Sequence, residues 1–184
     1  MVSAPIRANG AHNPTTGKVP LCMGSRSLGG LGDTERMSPG NVSRDELLAG
    51  LIRAGEREVT GEDEAELDAY FAPGYAFHGP DGAELDYEGL KGYFASLRAA
   101  FDDLTISRGI MLVEGDYVAC QTTIAGTFAR EFTRSPVGPL PPNGNRVAFE
   151  LINIFRYDDQ GRIAEEWVQT DNRSRLRQLG AEGR

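Results

Sequence analysis

The stretch EEWVQTDNRSRLRQLG, residues Glu165–Gly180, decides the fold and supplies the first functional hypothesis. It contains the only tryptophan of the chain, Trp167, followed four residues later by Asp171. The pattern predicts a final β-strand over 163–170 and a short closing helix over 172–179. A strand that runs directly into a helix at the end of a chain is a natural place to close a pocket.

Residues two apart in a strand share one face, so Trp167, Gln169 and Asp171 are expected to point the same way. An aromatic wall with a carboxylate at its rim suits the binding of a flat organic molecule. The sequence therefore predicts a pocket whose wall is Trp167 and whose polar group is Asp171.

The rest of the chain predicts helices first and paired strands afterwards. A capping box, Ser43-x-x-Glu46, opens the first helix, which Gly61 ends. Further helices are predicted at 62–71 and 86–101, and strands at 75–78, 104–113, 117–128, 147–157 and 162–170. A proline-rich loop is predicted over 135–145. This order predicts an α+β fold in which the N-terminal helices cover one face of a curved antiparallel sheet.

The composition is that of a globular protein and excludes several partner classes. The chain has 184 residues, 40% of them hydrophobic, enough for one core. A net charge of −8 argues against binding to nucleic acid or to anionic membranes. No apolar run is long enough to cross a membrane. Two cysteines, Cys22 and Cys120, make no disulfide framework, so a cytoplasmic location is expected.

Residues 1–40 differ in composition from the remainder of the chain. They are rich in Gly, Pro, Ser, Asn and Thr, and they show no apolar period. We predict a flexible arm, or a segment lying across a partner subunit, followed by one folded domain over 41–184.

Several motifs in a fixed order resemble the SnoaL-like polyketide cyclases of the NTF2-like superfamily. They are FDDL (101–104), VEGDYV (113–118), GTF (126–128), IFR (154–156) followed by GRI (161–163), and EWxxxD (166–171) ending in QLG (178–180). The resemblance covers about residues 42–180. It implies a cone-shaped α+β barrel that dimerises through its sheet and contains a deep apolar pocket. It also implies that no metal or organic cofactor is needed. The superfamily further includes ketosteroid isomerase, scytalone dehydratase and limonene-epoxide hydrolase.

The resemblance assigns the role of catalytic acid and base to Asp171. A carboxyl group in an apolar cavity has a raised pKa, so it can both accept and return a proton. The alternative is structural, because Asp171 also directly precedes the predicted helix 172–179 and can cap it. The sequence departs from the family at Phe128, where many members have a histidine.

The remaining candidates each have a structural alternative. His78 is expected to orient a substrate carbonyl or carry a proton, or else to bond to backbone beside a turn. Trp167 forms the pocket wall or plugs the barrel. Asn153 and Gln121 interrupt apolar strands and therefore need polar partners. Tyr75 offers a hydroxyl group, although core packing also explains it. With Phe128, these are the candidate substrate-binding residues: Trp167, Asn153, Gln121, Tyr75 and Phe128.

Three functions remain open from the sequence. The first is a cofactor-independent cyclase, isomerase or dehydratase that acts on a small apolar carbonyl compound through Asp171, with His78 assisting. The second is a non-catalytic domain that binds a small molecule or assembles a dimer. The third is an epoxide hydrolase, for which Arg156 or Arg146 would act between two carboxylates. In each case a homodimer is expected, because the sheet is apolar on both faces.

Overall fold

Four helices and six strands make up the part of the chain that the structure describes, residues 42–182 of a computed structural model. The predicted arm 1–40 lies outside these residues. In order, the elements are α1 (Arg44–Thr60), α2 (Glu64–Ala69), β1 (Phe71–His78), β2 (Glu84–Leu85), α3 (Tyr87–Ala100), β3 (Phe101–Glu114), β4 (Tyr117–Phe128), β5 (Arg146–Tyr157), β6 (Ile163–Thr170) and α4 (Asn172–Gln178). Pro80–Gly82 forms one turn of 3₁₀ helix before β2.

The first helix begins and ends where the sequence predicts. The Ser43 side chain accepts from the backbone of Glu46, and the Glu46 carboxylate accepts from the backbone N–H of Ser43. Gly61 ends the helix in the left-handed conformation, with φ of 71°, which a residue without a Cβ atom adopts at little cost. Leu47 and Leu51 are buried against the core, which orients the whole helix.

The strands form one curved, unclosed sheet in the order β2-β1-β6-β5-β4-β3. Neighbouring strands are antiparallel, except that β1 and β6 run parallel to each other. The predicted α+β class is confirmed, and the sheet is mixed where a purely antiparallel one was expected. After β1 and β2 the chain forms α3 and re-enters the sheet at its far edge with β3. It then returns strand by strand until β6 pairs beside β1.

The two faces of the sheet are called the inner face, which packs against α1 and α3, and the outer face. On β4 the alternation is regular: Val118, Cys120 and Thr122 are buried on the inner face, and Tyr117 and Gln121 are exposed on the outer face. The apolar side chains of α1, α3 and the inner face form the hydrophobic core.

An extra residue in β6 sets which side chains of this strand face inward. Tyr157 of β5 pairs with Ile163, but its neighbour Arg156 pairs with Glu165, so Ala164 is a bulge. Beyond the bulge Glu166 lies on the inner face and Trp167 on the outer face. No helix among residues 42–182 is long and apolar enough to span a membrane.

Candidate active site

A cavity of about 420 Å³ lies between the inner face of the sheet and helices α1 and α3. Its walls are mostly aliphatic and aromatic, and its size suits a small organic molecule. A few polar side chains project into it. Those used below are Glu58, Arg108, Thr122, Asn153, Glu166 and Arg175.

Glu166 of β6 is the most firmly held of these groups. Its carboxylate accepts a hydrogen bond of 2.7 Å from the Tyr75 hydroxyl and another of 2.7 Å from the Asn153 amide. Burial raises the pKa of Glu166, and the two donors and the charge of Arg108 offset part of that shift. The group is therefore positioned by two neutral donors and kept from water.

Glu58 of α1 supplies a second carboxyl group. It continues the apolar stripe of that helix, formed by Leu47, Leu51 and Ala54, and it is 8% exposed. Burial, with the nearby negative charge of Glu166, raises its pKa to about 8. At neutral pH Glu58 is therefore largely protonated and able to donate a proton.

Arg108 of β3 brings positive charge to the same cavity. Its Nη1 donates to the Thr122 hydroxyl at 2.7 Å, and its guanidinium carbon lies 5.4 Å from the ring centre of Phe155. Its charge lowers the pKa of both Glu58 and Glu166, although burial dominates in each case. Arg108 is thus the electrostatic counterpart of the two carboxyl groups.

Two polar atoms beside the carboxyl pair lack a hydrogen-bond partner among residues 42–182. They are Nε of Arg108, which is a donor, and Oδ1 of Asn153, which is an acceptor, and both are buried. Unpartnered buried polar atoms are costly in a folded protein and usually have a reason.

The structure places Asp171 outside this cavity. Its carboxylate is exposed and accepts from the backbone N–H of Ser174 at 2.9 Å, as the N-cap of α4. The expectation of an apolar surrounding for Asp171 is therefore wrong, because the strand has ended and the chain is turning into the helix. A catalytic role for it stays a prediction, and what the geometry shows is the capping role.

Trp167 and His78 lie on the outer face of the sheet. Their rings stack with centres 5.3 Å apart, and His78 Nε2 lies 2.9 Å from a carboxylate oxygen of Glu165. Trp167 is also 6.4 Å from the ring of Tyr117. The prediction that Trp167 forms the pocket wall is therefore wrong, because Trp167 faces the opposite side of β6 from the cavity. Neither ring lines the cavity.

The other candidates divide between the two faces. Asn153 lines the cavity, as the sequence predicts, and Tyr75 reaches it through its hydroxyl bond to Glu166. Gln121 is exposed on the outer face. Phe128 is fully buried and stacks on Phe101 at 5.1 Å, so it packs in the core and does not line the cavity.

Sequence reasoning missed Glu58, Arg108 and Glu166, although a signal for each was present. Glu58 follows Leu51 and Ala54 at helical spacing, and Arg108 follows Leu104 and Ile106 at strand spacing. A charged residue on the apolar side of a periodic pattern is a candidate for buried chemistry.

Comparisons with known proteins agree with this architecture. The family model for SnoaL-like polyketide cyclases matches residues 51–179. IdmH from Streptomyces antibioticus, described as a candidate polyketide cyclase, is 31% identical, with a TM-score of 0.60 over 74% of this chain and 97% of that one. TsrD from Streptomyces laurentii is 27% identical, with a TM-score of 0.55 over 76% of this chain and 98% of its own.

AclR from Streptomyces galilaeus, described as a candidate hydroxylase, is 24% identical and shares the fold, with a TM-score of 0.62 over 75% of this chain and 98% of its own. No curated protein matches the chain.

Proposed function

The chain belongs to the SnoaL-like polyketide cyclase family, and on that premise we propose that it catalyses ring closure or isomerisation of an apolar carbonyl compound without a cofactor. The observation that carries the proposal is the pair of buried carboxyl groups, Glu58 and Glu166, in one apolar cavity with Arg108.

The two carboxyl groups divide the acid and base roles. Burial raises the pKa of Glu166, which strengthens it as a base, and the hydrogen bonds from Tyr75 and Asn153 stabilise the ionised form in which it removes the proton from the carbon next to a carbonyl. Glu58, with its pKa of about 8, donates a proton to the oxygen that becomes negative. Arg108 stabilises that developing charge.

Ring closure couples a proton transfer at each end to the formation of one C–C bond. A C–H bond breaks as its proton passes to Glu166, and the resulting carbanion attacks a second carbonyl carbon of the same molecule. A C–C bond forms, the second C=O becomes a single bond, and its oxygen takes the proton of Glu58. The substrate atoms are conserved, and a proton then passes from Glu166 to Glu58 to restore the starting state.

Deuterium uptake tests the proton-removal step without the natural substrate. β-Tetralone, an apolar bicyclic ketone, is incubated in D₂O with protein, and exchange next to its carbonyl is followed by NMR. We expect the wild-type protein to exceed the buffer rate, and Glu166→Gln to lose about a hundredfold or more of that excess. Equal rates with and without wild-type protein would overturn the proposal.

Two variants control for general damage. Glu165→Gln changes the adjacent carboxylate, which lies on the outer face against His78 and Arg156, and should keep the exchange rate. Asp171→Asn removes the charge of the family's expected catalytic aspartate while preserving a good helix cap. Loss of exchange in Asp171→Asn with retention in Glu166→Gln would return the catalytic role to Asp171.

Epoxide opening is a second candidate, favoured by the occurrence of two carboxyl groups and a guanidinium in one cavity. Glu58 would protonate the epoxide oxygen as its C–O bond breaks, and Glu166 would take a proton from the attacking water. Arg156 and Arg146, the arginines expected from the sequence, lie outside the cavity, and Arg108 takes their place. Styrene oxide in isotopically labelled water separates the two functions, because hydrolysis places the label in a diol.

The outer face supports the further proposal of a homodimer. Its strands expose large apolar side chains that α1 and α3 do not cover. They are Ile110, Leu112, Tyr117, Ile152 and Ile154, of which Ile110 is 68% exposed. A contiguous apolar surface of this kind marks an association site.

A further inference from the structure

Arg175 of α4 is a buried cation that the proposed chemistry does not use. Its side chain lines the cavity, and the residue is 8% exposed. Its guanidinium carbon lies 4.8 Å from the ring centre of Phe149 and 5.9 Å from those of Tyr93 and Phe132. Three aromatic rings therefore hold one guanidinium at the edge of the substrate space.

The charge of Arg175 is not neutralised within the described part of the chain. Its Nη2 donates to the Tyr93 hydroxyl at 2.5 Å, and its Nε is buried without a hydrogen-bond partner there. No acidic side chain of residues 42–182 forms an ion pair with it. A buried cation in this condition is strongly stabilised by any anion that reaches it.

Arg108 differs from Arg175 in this respect. It faces two carboxyl groups, Glu58 and Glu166, whose charges interact with its own. Its positive charge is therefore already balanced when either carboxyl group is ionised. An incoming anion is therefore bound more favourably at Arg175, because no acidic group among residues 42–182 competes for this cation.

A purely structural role explains only part of the arrangement. Stacking on Phe149 and Phe132 would hold α4 against the sheet, and cation–π contacts favour such packing. Packing alone does not account for a cation at the wall of the cavity whose buried Nε is left without an acceptor. A methionine or leucine would fill the same space without that cost.

We propose that Arg175 binds a carboxylate on the ligand, so that the substrate of the proposed reaction is an apolar carbonyl compound that carries an acid group. The planar guanidinium matches a carboxylate through two parallel N–H donors, and Arg175 lines the cavity in which the ligand would lie. The inference rests on the proposed function for the reacting end of the molecule, and it adds the recognition of the other end.

The separation of the two ends sets the length of the ligand. Arg175 lies against Phe149, and Glu166 is bonded to Asn153, four residues further along β5. At about 3.3 Å per residue these positions are roughly 13 Å apart. The acid group is therefore expected about a two-ring to three-ring distance from the reacting carbon.

Calorimetry with a matched ligand pair tests the inference. β-Naphthoate carries the carboxylate, and its methyl ester has nearly the same shape without the charge. We expect the wild-type protein to bind the acid at least about tenfold more tightly than the ester, and Arg175→Met to abolish that preference. Arg177→Met is the control, because Arg177 lies on the same helix but is exposed beside Glu182.

If the Arg175→Met variant does not fold, Arg175→Lys tests the inference in its place. It keeps the charge and loses the planar fork, so the preference for the acid should fall at least about threefold. Equal binding of acid and ester by the wild-type protein, or an unchanged preference in both Arg175 variants, would overturn the proposal. So would a preference that disappears in Arg108→Met and persists in Arg175→Met.

The outcome is separable from that of the proposed function, since it is a difference in binding and needs no turnover. Glu166→Gln should retain the preference for the acid while losing deuterium exchange. A wild-type protein that prefers the acid but does not accelerate exchange would support the carboxylate site and refute the proton-transfer chemistry.

Discussion

Around Asn153 the two faces of the sheet place polar and apolar side chains opposite to the usual pattern. The inner face buries Glu166 and Asn153, which hydrogen-bond each other inside an apolar cavity. The outer face exposes Ile152 and Ile154, the residues on either side of Asn153 in the same strand. Charge is thus kept from water while isoleucine is presented to it, on side chains that alternate along one strand.

The two faces destabilise the native state in two different ways. A buried carboxyl group raises the free energy of the native state, and an exposed apolar surface leaves hydrophobic area in water. Neither arrangement improves the stability of an isolated subunit. The inner face is therefore interpreted as the reaction site and the outer face as the place where a second subunit binds.

The largest expected effect concerns the rate at the inner face. Glu58→Gln removes the proton donor and should lower enzyme-dependent exchange of β-tetralone by about a hundredfold or more. In the wild-type protein the exchange should fall as pH rises through about 8, the pKa of Glu58, because the acid becomes ionised. A buffer-corrected pH series by NMR measures both. A wild-type rate that is constant from pH 7 to pH 9 would exclude Glu58 as the acid.

The next effect is on stability, and its sign follows from the raised pKa. Between the ordinary value of 4.5 and about 8, native Glu58 holds a proton that the unfolded chain releases. Stability should therefore fall as pH rises across this window, by at most about 1.4 kcal/mol per pH unit. Glu58→Gln removes this dependence, so the variant should gain on the wild type with increasing pH.

Urea unfolding at pH 5, 6, 7 and 8 measures this difference. Glu56→Gln is the matched control, because Glu56 is exposed on the same helix. A parallel pH dependence in wild type and Glu58→Gln would show that Glu58 is not buried with a raised pKa.

The third prediction tests whether the outer face is a dimer interface. Ile154→Lys places a charge at the centre of the exposed apolar surface, and a symmetric dimer would bury that charge twice. We expect the dimer dissociation constant to rise by about a hundredfold, as measured by sedimentation. Val137→Lys also changes an exposed apolar residue, but in the loop after β4, and should leave association unchanged. A monomeric wild-type protein would refute the assignment of this face.

The smallest effect concerns Asp171, which belongs to neither face. Asp171→Ala removes the cap of α4 and should cost about 1 kcal/mol of unfolding free energy, whereas Asp171→Asn should cost much less. Urea unfolding of the two variants gives the comparison. Both should keep the exchange of β-tetralone, and an equal stability of the two variants would contradict the capping role.

The sequence predicted the elements well because their signals are local. The Ser43 and Glu46 capping box, the left-handed Gly61, and the turn between β3 and β4 all specify chain direction within a few residues. The strand β4 has the predicted bounds, Tyr117–Phe128. The parallel pairing of β1 with β6 was not predicted, since it joins segments about 90 residues apart.

The site was predicted less well because the local sequence does not determine which side chains of these strands face the core. Apolar residues occupy both faces of β5, with Leu151 and Phe155 inside and Ile152 and Ile154 outside. The alternation of apolar and polar residues therefore does not show which face of the strand is buried. The size of the Trp167 ring favours the inner face, but the structure places it on the outer face. Asn153 lies on the inner face, where Glu166 is the partner that a polar residue in an apolar strand needs.

The bulge at Ala164 gives β6 one spare residue. Deleting Ala164 would make the pairing with β5 regular, while Glu165 would still oppose Arg156 and Glu166 would still oppose Phe155. The inward direction of Glu166 would therefore survive a one-codon deletion at this point. A relative without the bulge needs a one-residue gap here in an alignment, because an ungapped alignment from Ile163 would set its inward carboxyl group against the outward Glu165.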